Sequence, residues 1–271
     1  MQQYAQFQKV QSLLLKKFTM NRKYTFLLPA ISFVLLLGLQ VDVFTALGQV
    51  PDQGQRPARA LTPIKSDTTR TLSKHFMPAA SVEKAPDDKG FIQRWLVLEP
   101  IKEDITRNNL FTDSYLRTTF STDNFSTDFN VIPQNGETVK VGDQELKWHA
   151  LDSKHYNFKL YHFAYAVNKP QNGILFWAVT VINCPEEIKN VRLAVGCNSA
   201  GIFWVNGEEA IVLSGNRDMV VDNVTSSRII LKKGKNVIRG AVVNGPGVID
   251  FCARFLDEDL QPLTNFTISC E

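Results

Sequence analysis

Hydrolysis by a covalent route needs a serine or cysteine held beside a base, and the closest approach to that arrangement is Ser199 in Gly196-Cys197-Asn198-Ser199-Ala200-Gly201. A nucleophile elbow, Gly-x-Ser-x-Gly, sets its serine two residues from each glycine. Here the first gap is one residue too long, and Ser199 reads as turn chemistry. The four histidines, His75, His149, His155 and His162, all precede the main run of strand-like segments and read as ordinary polar loop residues. Glu208-Glu209 and Asp257-Glu258-Asp259 are adjacent in sequence, which suits solvated turns better than the opposed carboxylates of a glycosidase. No phosphate-cradling, dinucleotide, His-Glu-x-x-His or calcium-loop motif occurs. The cysteines, Cys184, Cys197, Cys252 and Cys270, form neither Cys-x-x-Cys nor a His/Cys cluster, so zinc is not indicated. The expectation is therefore no catalytic residue, no metal and no cofactor.

The elements around these residues are β-strands. From residue 91 onward short apolar runs alternate with turn residues. Strands are expected over 91–98, over 138–141 and 145–148 around Gly142-Asp143-Gln144, and then over 161–167, 174–182, 191–197, 202–205, 209–213, 228–231, 237–243 and 248–255. Residues 104–120 are the one stretch that suits a helix, and their Thr and Asn content suits a long loop equally. Val191, Leu193 and Val195 point to one face and Arg192 and Ala194 to the other, as in a half-buried strand. The run 174–182 is apolar almost throughout, as in a strand covered on both faces. Asn206-Gly207 between two apolar runs is the signature of a two-residue hairpin, because both central residues must accept φ > 0. Many short strands without intervening helices predict an all-β protein, an antiparallel β-sandwich or jelly roll.

Ahead of it, Arg22-Lys23, an apolar run over 26–41 and Ala46-Leu47-Gly48 have the order of a signal peptide, removed after about Gly48. Residues 1–48 are assigned to it, with Met20 an alternative start. Export to a periplasmic, cell-surface or extracellular place follows, with a membrane partner only if the signal is uncleaved. Residues 49–90 carry five prolines among Ser, Thr, Lys, Arg and Asp and read as a disordered tether. Residues 91–257 are the sandwich and 258–271 a C-terminal extension. The whole chain has a net charge of +3, but 1–48 hold five basic residues against Asp42, so the rest has 25 basic and 26 acidic residues, a net charge of −1. That leaves no electrostatic case for nucleic acid. Four cysteines in an exported chain allow three pairings. Cys197 and Cys252 suit core filling as well as a bridge.

Several segments are similar to a known family. Phe91-Ile92-Gln93-Arg94-Trp95-Leu96-Val97-Leu98-Glu99-Pro100, Pro133-Gln134-Asn135-Gly136-Glu137-Thr138-Val139 with Leu146-Lys147-Trp148, Val191–Gly196, Ile202-Phe203-Trp204-Val205-Asn206-Gly207 and Leu231-Lys232-Lys233-Gly234-Lys235-Asn236 keep the order and spacing of five family segments. The chain over 91–257 thus resembles the jelly-roll, galactose-binding-like carbohydrate-binding modules that accompany bacterial polysaccharide-degrading enzymes, including Bacteroides-type proteins labelled acetylxylan esterase. Where that family has Ser-Asp-Asp-Gly this chain has Asn198-Ser199-Ala200-Gly201, losing both carboxylates a calcium ion would need. Where a Trp precedes the last strand, this chain has Gly245-Pro246-Gly247-Val248-Ile249-Asp250.

Sugar recognition on such a module needs aromatic faces and planar polar side chains. Trp95, Trp177 and Trp204 lie in apolar runs and are expected in the core; Trp148, between Lys147 and His149, is expected to be partly exposed. Arg217 matches a family loop that carries an arginine, and its guanidinium can fork to hydroxyl groups or pair with Asp218. The candidate carbohydrate-binding set is Trp148, Arg217, Asn198 and Asn206. The resemblance implies a non-catalytic module for neutral polysaccharide or oligosaccharide, accessory to an enzyme on another chain. An acetylxylan-esterase-like deacetylase and an envelope structural protein with a decayed sugar site are the alternatives.

Overall fold

A strand that is apolar on both faces has to be covered twice, and this requirement organises the fold. The computed structural model describes residues 70–271 apart from 104, 106–110 and 122–127; the expected signal peptide and the tether as far as 69 lie outside the described residues. In chain order the strands are β1 (Phe76–Pro78), β2 (Arg94–Leu98), β3 (Ile101–Lys102), β4 (Thr138–Val141), β5 (Gln144–Ser153), β6 (Ile174–Cys184), β7 (Ile188–Cys197), β8 (Ser199–Val205), β9 (Glu208–Arg217), β10 (Val224–Thr225), β11 (Ile229–Leu231), β12 (Gly234–Asn244), β13 (Phe251–Leu256) and β14 (Thr267–Ser269). Among the described residues two α-helices, α1 (Asp113–Ser121) and α2 (Leu160–Ala166), interrupt them, and a 3-10 turn over Leu72–Lys74 precedes β1.

Among the described residues, ten strands form one antiparallel sheet in the order β1-β5-β2-β6-β12-β8-β9, with β3 and β14 also on β6 and β4 on β5. The smaller sheet is β10-β7-β11 with β13 on β7. β6 pairs along its whole length with β12, from Cys184 opposite Gly234 to Ile174 opposite Asn244. Its Ile174, Phe176, Ala178 and Ile182 face the smaller sheet and meet Val191, Leu193, Val195 and Cys197 of β7 and Phe251, Ala253 and Phe255 of β13. This is the sandwich core. The other face of β6, Leu175, Trp177 and Val179, lies in a second core with Leu116 and Phe120 of α1 and Trp148, Ile202 and Trp204. Thr112 Oγ1 accepts from the Tyr115 N–H at 3.1 Å and starts α1. Leu116 and Phe120, four residues apart, then fall on the buried face. Each large side chain so buried contributes roughly 1.5–3 kcal/mol.

The expected hairpin is present: Asn206 (φ 51°) and Gly207 (φ 86°) both take the left-handed backbone that joins β8 to β9. Three expectations are corrected. Residues 161–167, read as a strand, form α2, because Leu160, Phe163 and Ala164 are spaced to turn one helical face into the core. Residues 70–90, assigned to the tether, belong to the fold: β1 pairs with β5, Phe76 is 1% exposed, and Lys84 bridges to Ile268. The 258–271 segment is likewise built in, since β14 pairs with β6. Arg94 fastens both segments. Its guanidinium grips Asp152 through Nε (2.8 Å) and Nη2 (3.0 Å) and donates from Nη1 to the carbonyls of Val82 (2.6 Å) and Ile268 (3.4 Å).

Candidate functional site

The four expected sugar contacts are not all brought together: Arg217 lies opposite Ser199, next to Asn198, while Trp148 and Asn206 lie elsewhere. Trp148 is 0% exposed, inside the core beneath α1, so its ring is not available for stacking. Lys147 and His149 suggested exposure, but they lie on the opposite face of β5 from Trp148, and strand alternation sends the ring between them inward. Trp95, Trp177 and Trp204 are also buried, as expected. Asn206 is a hairpin residue: its Oδ1 accepts from Val237 N–H (3.0 Å) and its Nδ2 donates to Asn236 Oδ1 (2.9 Å). It stands at the far end of β8 from Asn198, and the seven residues of β8 between them span roughly 20 Å at the strand's rise per residue. Arg217 bonds within its own loop, from Nε and Nη2 to Asn223 Oδ1 (2.9 and 2.5 Å) and from Nη1 to Ser214 O (3.2 Å). Its partner is Asn223, not Asp218.

Asn198 leads to the constellation that sequence reading missed. Its N–H donates to Asp250 O (3.0 Å) and its Oδ1 accepts from the Asp250 N–H (3.2 Å). The Asp250 carboxylate, in the loop before β13, takes bonds at Oδ2 from Asn157 Nδ2 (3.0 Å) and Lys159 Nζ (3.2 Å) of the β5–α2 loop. Its Oδ1 is enclosed and has no hydrogen-bond partner among the described residues. Burial raises the Asp250 carboxyl above its ordinary value, and the Lys159 ammonium opposes that rise. Beside it, Ser199, at φ 56° and opposite Arg217 in the sheet, donates from Oγ to Asn244 Oδ1 (2.9 Å). Asn244 Nδ2 in turn donates to Gly247 O (3.0 Å). Residues 157–159, 198–199 and 244–250, three separate stretches of chain, therefore meet around Asp250, whose carboxylate is held from the first of them. Tyr156, between His155 and Asn157 in the chain, keeps 43% of its surface exposed, with its ring 5.2 Å from Phe91. Lys159 stays partly exposed while Asp250 holds it.

The arrangement suits recognition by donors, acceptors and a ring. Ser199 Oγ bonds an amide rather than a base. Glu209 is engaged by Arg117 at 2.7 and 2.9 Å, and Glu258 by Arg228 at 2.8 Å. All four cysteines are free. Burial drives the Cys197 thiol upward and pushes Cys252 to about 11 and Cys270 to about 12, which holds them as unreactive thiols at neutral pH. Among the described residues no group of three or more His, Cys, Asp or Glu side chains is arranged to hold a metal ion.

The only sequence sign of the Asp250 cluster was its turn residues, Gly245-Pro246-Gly247 and Asn157, which mark loops without saying that they meet.

No protein-family model matches the sequence, and no curated protein matches it. Among solved structures, the chain is similar to the PA14 sugar-binding domain from an RTX adhesin, at a TM-score of 0.38 and 11% identity over 65% of this chain and 96% of that one. It is similar also to the PA14 domain of the antifreeze protein MpAFP, at 0.34 and 12% identity over 69% and 97%. A β-glucosidase from Kluyveromyces marxianus aligns at 0.33 and 21% identity, over 46% of this chain and 16% of the enzyme.

Proposed function

We propose that this chain is an exported, non-catalytic β-sandwich that binds a neutral polysaccharide or oligosaccharide through the loops around Asp250, as an accessory to a carbohydrate-active enzyme on another chain. The observation that carries this reading is that Asn157 and Lys159 bond the buried carboxylate of Asp250, whose backbone Asn198 holds, while Tyr156, next to Asn157 in the chain, stays exposed. Pyranoses are bound by a combination of this kind: a flat apolar face for C–H surfaces and fixed polar groups for hydroxyl groups. In this reading Lys159 and Tyr156 meet the sugar, Asp250 holds Lys159 in place, and Arg217 and Asn198 order the neighbouring loops. A net charge of −1 outside residues 1–48 favours neutral ligands, and the resemblance to carbohydrate-binding modules points the same way.

Titration with a panel of soluble neutral oligosaccharides, with calcium and with chelator, is the test. Binding at micromolar to millimolar Kd, unchanged by chelation and lost in Tyr156→Ala and Lys159→Ala, is the expected result. No binding to any member of the panel would overturn the reading in favour of a structural role in the envelope.

A further inference from the structure

The segment 70–78 reaches the sandwich through a seam of histidines that the proposed sugar site does not use. β1 pairs with β5, and the Phe76 ring sits 4.8 Å from Phe158. Lys154 N–H donates to His75 O (2.9 Å) and Lys154 Nζ to Ser73 O (2.5 Å). At the centre, His75 stacks on His162 of α2 with ring centres 4.1 Å apart, and His75 Nδ1 lies 3.1 Å from His155 Nε2. A hydrogen bond between two imidazole nitrogens needs one of them unprotonated. The surroundings supply cations rather than counter-ions. From the segment itself come Lys74 and Arg70, whose guanidinium lies 5.2 Å over the Tyr165 ring of α2. From the β5–α2 loop come Lys154 and Lys159, and α2 adds Tyr161, whose ring stands edge-on to His162 with centres 5.7 Å apart. The acid that faces them, Asp250, is already bonded to Lys159 and Asn157.

We propose that the His75–His155–His162 stack is an acid-opened latch, which holds segment 70–78 on the sandwich while its rings are neutral and lets it go when they are protonated. Burial lowers all three imidazoles, His75 to about 4 from an ordinary 6.5, with the neighbouring histidines and lysines adding to the effect. The sign follows from linkage. In the released segment His75 titrates near its ordinary value, as do His155 and His162 once uncovered. Protons then bind the open form more tightly, and the latched population falls as pH drops below 6.5. Release would free nine residues, extending whatever precedes residue 70 by up to about 30 Å.

Amide hydrogen exchange on the whole chain, corrected for the intrinsic pH dependence of exchange, tests the latch. Protection over 70–79 is expected to fall at least about tenfold between pH 7.5 and 4.5, while β6 and β12 keep theirs. The His75→Gln/His162→Phe variant, which keeps a hydrogen-bonding group toward His155 and a ring in α2 but cannot charge at either position, should lose most of that pH dependence, and His155→Gln alone part of it. Protection over 70–79 that stays constant with pH, that falls in step with β6 and β12, or that keeps its full pH dependence in the double variant would overturn the proposal.

Discussion

Arg94→Met removes the guanidinium that ties β2 to the adjoining 70–90 and 258–271 segments. The Arg94 and Asp152 side chains are 3% and 8% exposed, so the variant leaves a carboxylate enclosed without its cation. Breaking a buried pair from one side costs about 3–5 kcal/mol, whereas replacing both partners by apolar residues of similar volume is often close to neutral. Against a total stability of roughly 5–15 kcal/mol, the single substitution is a large loss. Arg94→Met/Asp152→Leu is expected to recover most of it, a coupling of about 2 kcal/mol or more. Equilibrium urea unfolding followed by the fluorescence of the four buried tryptophans gives the four corners of the cycle. Because Arg94 Nη1 also bonds Val82 O and Ile268 O, amide exchange at Lys84 and Ile268 should quicken in both variants. A loss below about 1 kcal/mol in Arg94→Met, with unchanged exchange at those two amides, would refute both the energetics and the assignment of 70–90 and 258–271 to the domain.

Trp148→Ala is expected to cost about 3–5 kcal/mol in urea unfolding and to leave glycan affinity of the folded protein unchanged, the reverse of what an exposed stacking ring would do. Phe76→Ala should lose a similar amount and expose 70–79 to limited proteolysis, whereas a disordered tether would register no change in stability. A methyl group at Gly196 would stand 1.9 Å from the Val220 carbonyl oxygen. Gly196→Ala is therefore expected to lower the thermal midpoint through a forced backbone shift of about 1–3 kcal/mol or more. Since burial raises the Asp250 carboxyl, the folded state holds that proton more tightly than the unfolded chain. The stability it contributes is present in acid and is lost as pH rises through the folded value. Asp250→Asn should accordingly gain on the parent as pH rises from 3 to 6, read as the difference in urea midpoint at each pH.

What the sequence shows of this fold is whatever neighbouring residues decide between themselves. The alternation of β7, the two-sided apolar run of β6 and the Asn206-Gly207 turn are local patterns, and the structure bears them out. α2 was misread because Leu160, Phe163 and Ala164 lie among aromatic residues that also suit a strand, and a seven-residue helix offers fewer than two turns of period to tell them apart. Residues 70–90 look unable to fold because their few apolar side chains are scattered. Phe76 is sufficient once β5 and α2 surround it, a circumstance 80 residues further along the chain. The site was the least legible part. Asn157, Asn198 and Asp250 are ordinary loop residues one by one, and their chemistry arises only when three separate turns close on one another. Trp148 misled because the polarity of sequence neighbours reports on the other face of a strand.

The bridge between Lys84 and Ile268 governs how this domain carries a mechanical load. Lys84 N–H donates to Ile268 O at 3.0 Å and Ile268 N–H to Lys84 O at 2.7 Å. The two strands run in opposite directions, so residues 83 and 269 emerge side by side. Tension applied through residue 70 meets the β1–β5 pairs first, and beyond them it opens this contact like a zipper, one hydrogen bond after another. The eleven-residue register of β6 and β12 lies off that line of force. The domain should thus yield at its rim under small forces while its interior stays folded, and close again when the load is removed.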